Sequence, residues 1–221
     1  MTTLYIKTVK CSVCGYKNNL TVIGSTNSIG SPDLDLRPAE MQRSTMDKWV
    51  QECKNCHYVA YDLSSKCKIS KLYIKSDEYL KNDGYKFKSD LCSRFYRHHK
   101  IMIILGDIEN AFNSLHWAAW ECDDLNDNVT AKAMRELCIP LITSLISIKK
   151  GERKYEFQLI KADLLRRAGR FDELIAAYEN IKFKDDTMNN VLKFQLIKAK
   201  KHDISCFTIE DALSFCHGAQ N

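Results

Sequence analysis

Phe157-Gln158-Leu159-Ile160-Lys161-Ala162 returns letter for letter as Phe194-Gln195-Leu196-Ile197-Lys198-Ala199, 37 residues further on. A repeat at that distance points to stacked helix hairpins, whose period lies near 34 residues in tetratricopeptide arrays. The turn after the first copy has a matching form. Arg167-Ala168-Gly169-Arg170-Phe171-Asp172-Glu173 sets a glycine where a helix end wants a left-handed residue, then an aromatic and two acids to open the next helix. Leu105-Gly106-Asp107-Ile108-Glu109-Asn110-Ala111-Phe112 is built alike. The early tryptophan and closing proline of tetratricopeptide repeats are missing, so a non-repeating helical bundle is the alternative.

Working outward from that word, apolar residues recur at helical spacing over most of the chain. The pattern predicts helices over roughly 66–81, 88–105, 107–122, 128–149, 153–168, 171–182, 187–202 and 208–217. A single hairpin cannot bury its apolar face alone, so neighbours must share a core. Phe112, Leu115, Trp117, Trp120, Leu164, Leu165 and Leu174 are the expected core.

Residues 1–65 have a different texture. Leu4, Ile6 and Val9, then Leu20, Val22 and Ile23, form short β-prone runs, with Trp49-Val50 and Tyr58-Val59-Ala60-Tyr61 later. Pro38 to Arg43 suits one or two helical turns. The expected fold is therefore mainly α. A small zinc-ribbon-like, β-containing N-terminal domain (1–65) is followed by an all-helical, tetratricopeptide-like helical-hairpin array (66–221).

Cys11-Ser12-Val13-Cys14-Gly15 and Cys53-Lys54-Asn55-Cys56-His57 carry the chemistry. Two residues between cysteines let one tight turn aim both sulfurs at a point, and two such turns supply the four thiolates of a tetrahedral Zn²⁺ site. The residue after each second cysteine needs a left-handed backbone, which Gly15 adopts freely and His57 tolerates. Residues 15–52 separate the pairs, longer than the 15–20 of a compact ribbon, so the intervening chain must fold back. Four cysteines close the coordination shell, which makes Cys11, Cys14, Cys53 and Cys56 the ligands of one structural zinc. A thioredoxin-type redox pair needs one such motif in a βαβ setting, and that pattern is missing. The other six cysteines, Cys67, Cys92, Cys122, Cys138, Cys206 and Cys216, read as small packing residues.

Two further features stand out. Asp33 and Asp35, in Ser31-Pro32-Asp33-Leu34-Asp35-Leu36-Arg37-Pro38, would share a face if extended. They read first as turn residues paired with Arg37 or Arg43, and second as a surface of functional interest. Arg94, Arg97, His98, His99 and Lys100 form a local basic patch. No phosphate-cradling glycine loop, nucleophile elbow or metalloprotease motif is present.

Composition limits the remaining classes. Among 221 residues, 33 are basic and 28 acidic, a net charge of +5 that permits a polyanion without arguing for one. Met1 to Lys7 lacks the apolar core of a secretory leader. The nearly apolar stretch Leu137–Ile148 falls short of the roughly 20 residues that span a bilayer. A cytoplasmic protein outside the membrane is expected, and in a reducing compartment paired cysteines favour metal over disulfides.

The order of features resembles a bacterial family of unknown function, with a paired-CxxC zinc-binding N-terminal domain and a tetratricopeptide-like helical tail. The resemblance rests on Cys11–Gly15, on Asp33-Leu34-Asp35 and on Val50-Gln51-Glu52-Cys53-Lys54-Asn55-Cys56-His57-Tyr58-Val59-Ala60. The last is similar to that family's V-x-x-C-P-x-C-G-Y-A segment, with Lys54 in place of the proline and His57 in place of the glycine. Ala118-Ala119-Trp120 adds to it. The resemblance implies a metal-binding domain and supplies no reaction.

These readings converge on a zinc-stapled scaffold that recognises a protein or peptide. One alternative is an enzyme with a site between the two domains, using Asp33, Asp35 and His57. The other is a nucleic-acid binder whose ribbon presents Lys7, Lys10, Lys17 and Lys54 on one face.

Overall fold

A computed structural model describes residues 1–218. The chain is mainly helical, with its strands confined to the N-terminal region. It divides into two compact units: Met1–Ser28 with Glu40–Ala131, and Ile29–Ala39 with the chain from Lys132 onward. Among the described residues no helix is long and apolar enough to cross a membrane.

The first unit begins with two antiparallel strands, β1 (Thr3–Lys10) and β2 (Lys17–Ser25), joined by the first CxxC turn. A second, two-residue hairpin, β3 (Gln51–Glu52) and β4 (Val59–Ala60), is joined by the second CxxC turn. Each β-prone run therefore flanks a cysteine turn. The helical turn expected over 38–43 forms instead as a 3-10 helix at Arg43–Lys48, where Thr45 is held by the Gln42 carbonyl.

Helices follow. The single helix expected over 66–81 is two one-turn helices, α1 (Lys71–Ile74) and α2 (Asp77–Leu80). Ser70 and Ser76 each accept an amide hydrogen bond at the start of a turn, so the second serine opens a new helix rather than continuing the first. Helices α3 (Asp90–Ile104) and α4 (Ile108–Asp124) pack against each other. Between them Gly106 takes φ 73°, and Asp107 caps α4 by accepting from the Asn110 amide, as the Leu105–Phe112 reading requires. Phe112, Leu115 and Trp120 are buried as expected. Trp117 is half-buried, its ring 5.1 Å from Trp49 and 5.9 Å from Tyr61, so this aromatic group ties the second hairpin region to the α3–α4 pair.

The second unit holds most of α5 (Asn128–Ile148), then α6 (Gly151–Arg167), α7 (Phe171–Tyr178), α8 (Asp186–Lys200) and α9 (Ile209–Gly218). Helices α6, α7 and α8 pack on one another, and α9 packs on α8. The repeated words lie in α6 and α8, the first ending five residues before its helix does and the second one residue before. Phe157 and Phe194, and Ala162 and Ala199, are all buried. The two copies also touch: the Gln195 amide donates to the Leu159 carbonyl at 3.2 Å. Gly169 takes φ 78° between α6 and α7, and Leu164, Leu165 and Leu174 are fully buried.

Ser31–Pro38 belongs to this unit. Asp33 bridges Thr208, the Leu34 amide donates to the Phe207 carbonyl and the Ile209 amide to the Pro32 carbonyl. Arg166, wholly buried, holds the facing chain: its guanidinium reaches Asp163 at 2.5 Å and the carbonyls of Asp203 and Ser205 at 2.8 and 2.7 Å.

Candidate metal centre

The two CxxC turns repeat one backbone design. In the first, the Cys11 amide donates to the Tyr16 carbonyl at 2.8 Å and the Gly15 amide returns to the Cys11 carbonyl at 2.8 Å. In the second, the Cys53 amide donates to Tyr58 and the His57 amide returns to Cys53, both at 2.9 Å. Gly15 (φ 80°) and His57 (φ 60°) both take the left-handed conformation that turns the chain back. Each loop thus points its two thiols the same way.

All four thiols meet. The sulfurs of Cys11, Cys14, Cys53 and Cys56 lie within 4.8 Å of one another, with Cys11–Cys56 at 3.8 Å and Cys14–Cys53 at 3.5 Å. A tetrahedron of sulfurs about 2.3 Å from a central ion has edges of about 3.8 Å. One ion therefore fits the cluster with only small adjustments. A four-iron cluster would hold its thiolates around a much larger body, and these sulfurs stand too close for that.

The surroundings are apolar and fixed. Val9, Val13, Tyr58, Leu63, Ile74, Tyr79 and Ile101 pack with the cysteines into one buried cluster. Asn18, on β2 and 1% exposed, links the turns: its side-chain oxygen accepts from the Lys54 amide at 2.9 Å and its nitrogen lies 3.5 Å from the Cys53 sulfur. The His57 carbonyl accepts from the Tyr79 hydroxyl at 2.7 Å and from Arg97 at 3.2 Å. Arg97 also grips Glu52 through two hydrogen bonds, at 2.9 and 3.0 Å. Burial raises the Glu52 pKa, but the Arg97 hydrogen bonds and charge, with His57 adding, outweigh that and hold the carboxyl below its usual value. Helix α3 thereby clamps the second turn.

Charge within the cluster is uneven. Burial pushes the thiols of Cys11 and Cys56 up. For Cys14 burial also raises, but hydrogen bonds from Asn55 and the Tyr16 backbone prevail and bring it down to about 6. Four thiols this close cannot all ionise without a cation between them, and a divalent ion is what such a donor set accommodates. Cys14 is the least buried of the four and lines a cleft of about 420 Å³ with Asn55, Lys71 and Lys75. The cleft therefore brings the Cys14 side of the cluster towards solvent, with two lysines in its lining.

No family model matches the chain, and no curated protein or solved structure matches it. The resemblance to a bacterial family accordingly rests on the quoted segments alone.

The other sequence-derived candidates fall elsewhere. His57 stands outside the four-cysteine group; its Nδ1 donates to Glu52 at 2.9 Å. Asp33 and Asp35 are buried and belong to the second unit, whereas His57 belongs to the first. Asp35 lies 3.7 Å from Arg167 and accepts from the Arg37 amide at 3.3 Å, while Asp33 receives the Cys206 thiol at 3.3 Å. Lys10 pairs with Lys17 across the first hairpin, but Lys7 pairs with Leu20. Alternation along β1 sets Lys7 on the opposite face from Lys10 and Lys17.

The basic patch turns inward. Arg94 donates to the carbonyls of Asp47 and Val50. His98 bonds Ser114 at 2.7 Å, and His99 bonds the Ala111 carbonyl. Lys100 pairs Asp83 at 2.9 Å and reaches two further carbonyls. The sequence reading missed Asn18 and Tyr79, and the roles of Glu52 and Arg97. Glu52 stands next to Cys53 and Arg97 sits in the patch, but nothing in the sequence pairs them.

Of the scattered cysteines, Cys206 is exposed. Cys92 and Cys122 face each other across α3 and α4 with sulfurs 3.4 Å apart, both fully buried.

Proposed function

We propose that the chain is a zinc-stapled scaffold, in which one structural Zn²⁺ held by Cys11, Cys14, Cys53 and Cys56 fixes the N-terminal hairpins and the helical repeats recognise a protein or peptide. The observation that carries the reading is the closed, largely buried set of four sulfurs within 4.8 Å. A catalytic zinc keeps an open position for water or substrate, and a complete thiolate shell leaves none. Zinc is favoured because it accepts tetrahedral sulfur without redox chemistry. All ten cysteines are free thiols, which suits a reducing cytoplasm. The repeated words of α6 and α8 favour stacked hairpins of tetratricopeptide type, an architecture that presents extended surfaces to partners.

Metal analysis of the purified chain tests the staple. About one zinc per chain is expected, lost in Cys53→Ser together with protection of β1–β4 against amide exchange. A metal-free protein with full protection would contradict the reading.

A further inference from the structure

The second unit contains a groove of about 430 Å³ whose composition departs from that of the chain. Its apolar lining includes Leu36, Leu159, Ile160, Met188, Val191 and Ile209. Its polar lining among the described residues includes Glu152, Glu156 and Asp185 but no lysine or arginine, although basic residues outnumber acidic ones, 33 to 28, over the whole sequence. Arg153 pairs Glu156 at 2.9 Å from outside the lining and covers the Phe157 ring. Asp185 gives one oxygen to the Met188 amide, which caps α8. Three carboxylates and no basic side chain thus line the groove among the described residues.

A second observation concerns how one wall is built. Leu36 is 39% exposed and sits at φ 64°, a conformation that a branched, bulky side chain rarely adopts. Its neighbours over-determine that position. The Asp33 amide donates to the Arg37 carbonyl, the Leu36 amide returns to Asp33, Asp35 faces Arg167, and Asp33 bridges Thr208. An apolar side chain held half-exposed on a strained backbone by buried charged groups is a feature of binding loops. Here it borders the groove.

We propose that this groove binds a basic peptide segment, in which a large aliphatic side chain enters between Leu36 and the α6–α8 face while flanking lysine or arginine residues meet Glu152, Glu156 and Asp185. The proposal rests on the peptide-recognition reading and specifies the class of peptide. The volume accommodates two or three side chains, which sets the recognised segment at a few residues. Exposed carboxylates give long-range attraction that added salt weakens.

A random octapeptide library screened against the full-length, metal-loaded protein tests it. Recovered peptides should carry Lys or Arg beside Leu, Ile or Met. The double variant Glu152→Gln, Glu156→Gln should weaken a recovered peptide at least fivefold and flatten its salt dependence. Leu36→Gly should weaken it at least fivefold while leaving the thermal midpoint equal or higher, because glycine adopts the φ of 64° without strain. That combination separates loss of contact from loss of fold. Acidic or uncharged peptides recovered at the groove would overturn the basic class while leaving peptide recognition standing. Basic peptides indifferent to all three substitutions would overturn the groove but not the scaffold reading. No enrichment over an unrelated control protein would overturn both.

Discussion

The two units reach order by different means. In the first, the buried cluster is organised around four sulfurs, and the hairpin above it leaves Leu4, Tyr5 and Ile6 exposed. In the second, helices α6 to α9 bury one another, and the charged groups among them are matched internally, as Arg166 is by Asp163 and two carbonyls. On the proposed reading one unit completes its core with an ion, and the other builds its core from the polypeptide alone. Stability measured on the intact chain should therefore separate into a metal-dependent and a metal-independent part.

Metal removal is the strongest way to break that contrast. A high-affinity chelator should abolish amide-exchange protection in β1–β4, an effect on the order of 10 kcal/mol for a structural zinc, while protection in α6 and α8 persists. Equal loss in both units would erase the distinction. The complementary change is Phe157→Ala, which empties a buried site in α6. It should cost about 3–5 kcal/mol in denaturant unfolding and leave metal content unchanged.

Between about pH 6.5 and pH 4, acid adds a third term at His98 in the first unit. Burial holds the His98 ring neutral and pushes its pKa down to about 4, with Asp107 opposing and His99 adding. A base whose pKa is depressed in the fold takes up its proton more readily when unfolded. Stability is thus intact above about pH 6.5 and falls as pH drops towards about 4, by up to about 3 kcal/mol. His98→Gln should remove that part of the slope, seen as the difference between variant and parent across the same range. An unchanged slope would show that His98 titrates alike in the folded and unfolded chain.

The smallest effect distinguishes the two cysteine turns. His57→Gly relieves a left-handed histidine but loses the hydrogen bond to Glu52. The Tyr79 and Arg97 bonds to the residue-57 carbonyl survive, so stability should change by no more than about 1 kcal/mol, with metal content intact. Loss of metal in this variant would make the imidazole part of the site.

How much of this the sequence disclosed follows from the range of each interaction. The long helices were legible because their apolar period is local, and so were the glycines at residues 106 and 169, since a positive φ after a helix is a local demand. The four cysteines were legible for the same reason, each turn being set within five residues. Partners far apart in sequence were not. Arg94–Lys100 reads as no more than a local basic patch because the groups that engage it, Glu52, Asp47, Ser114 and Asp83, lie well outside that heptapeptide. The chain texture changes near residue 66, whereas compactness divides at Ala131/Lys132 and takes 29–39 with the second unit. The pairing of that segment with 207–209 has no local signature at all.

The central claim is that the four sulfurs hold one zinc, and X-ray absorption at the zinc edge of the purified full-length protein tests it most directly. The account predicts a single shell of four sulfurs at about 2.3 Å, reduced in Cys14→Ser. A shell containing nitrogen or oxygen in the parent protein, or no zinc signal in a chain that retains its hairpins, would contradict it.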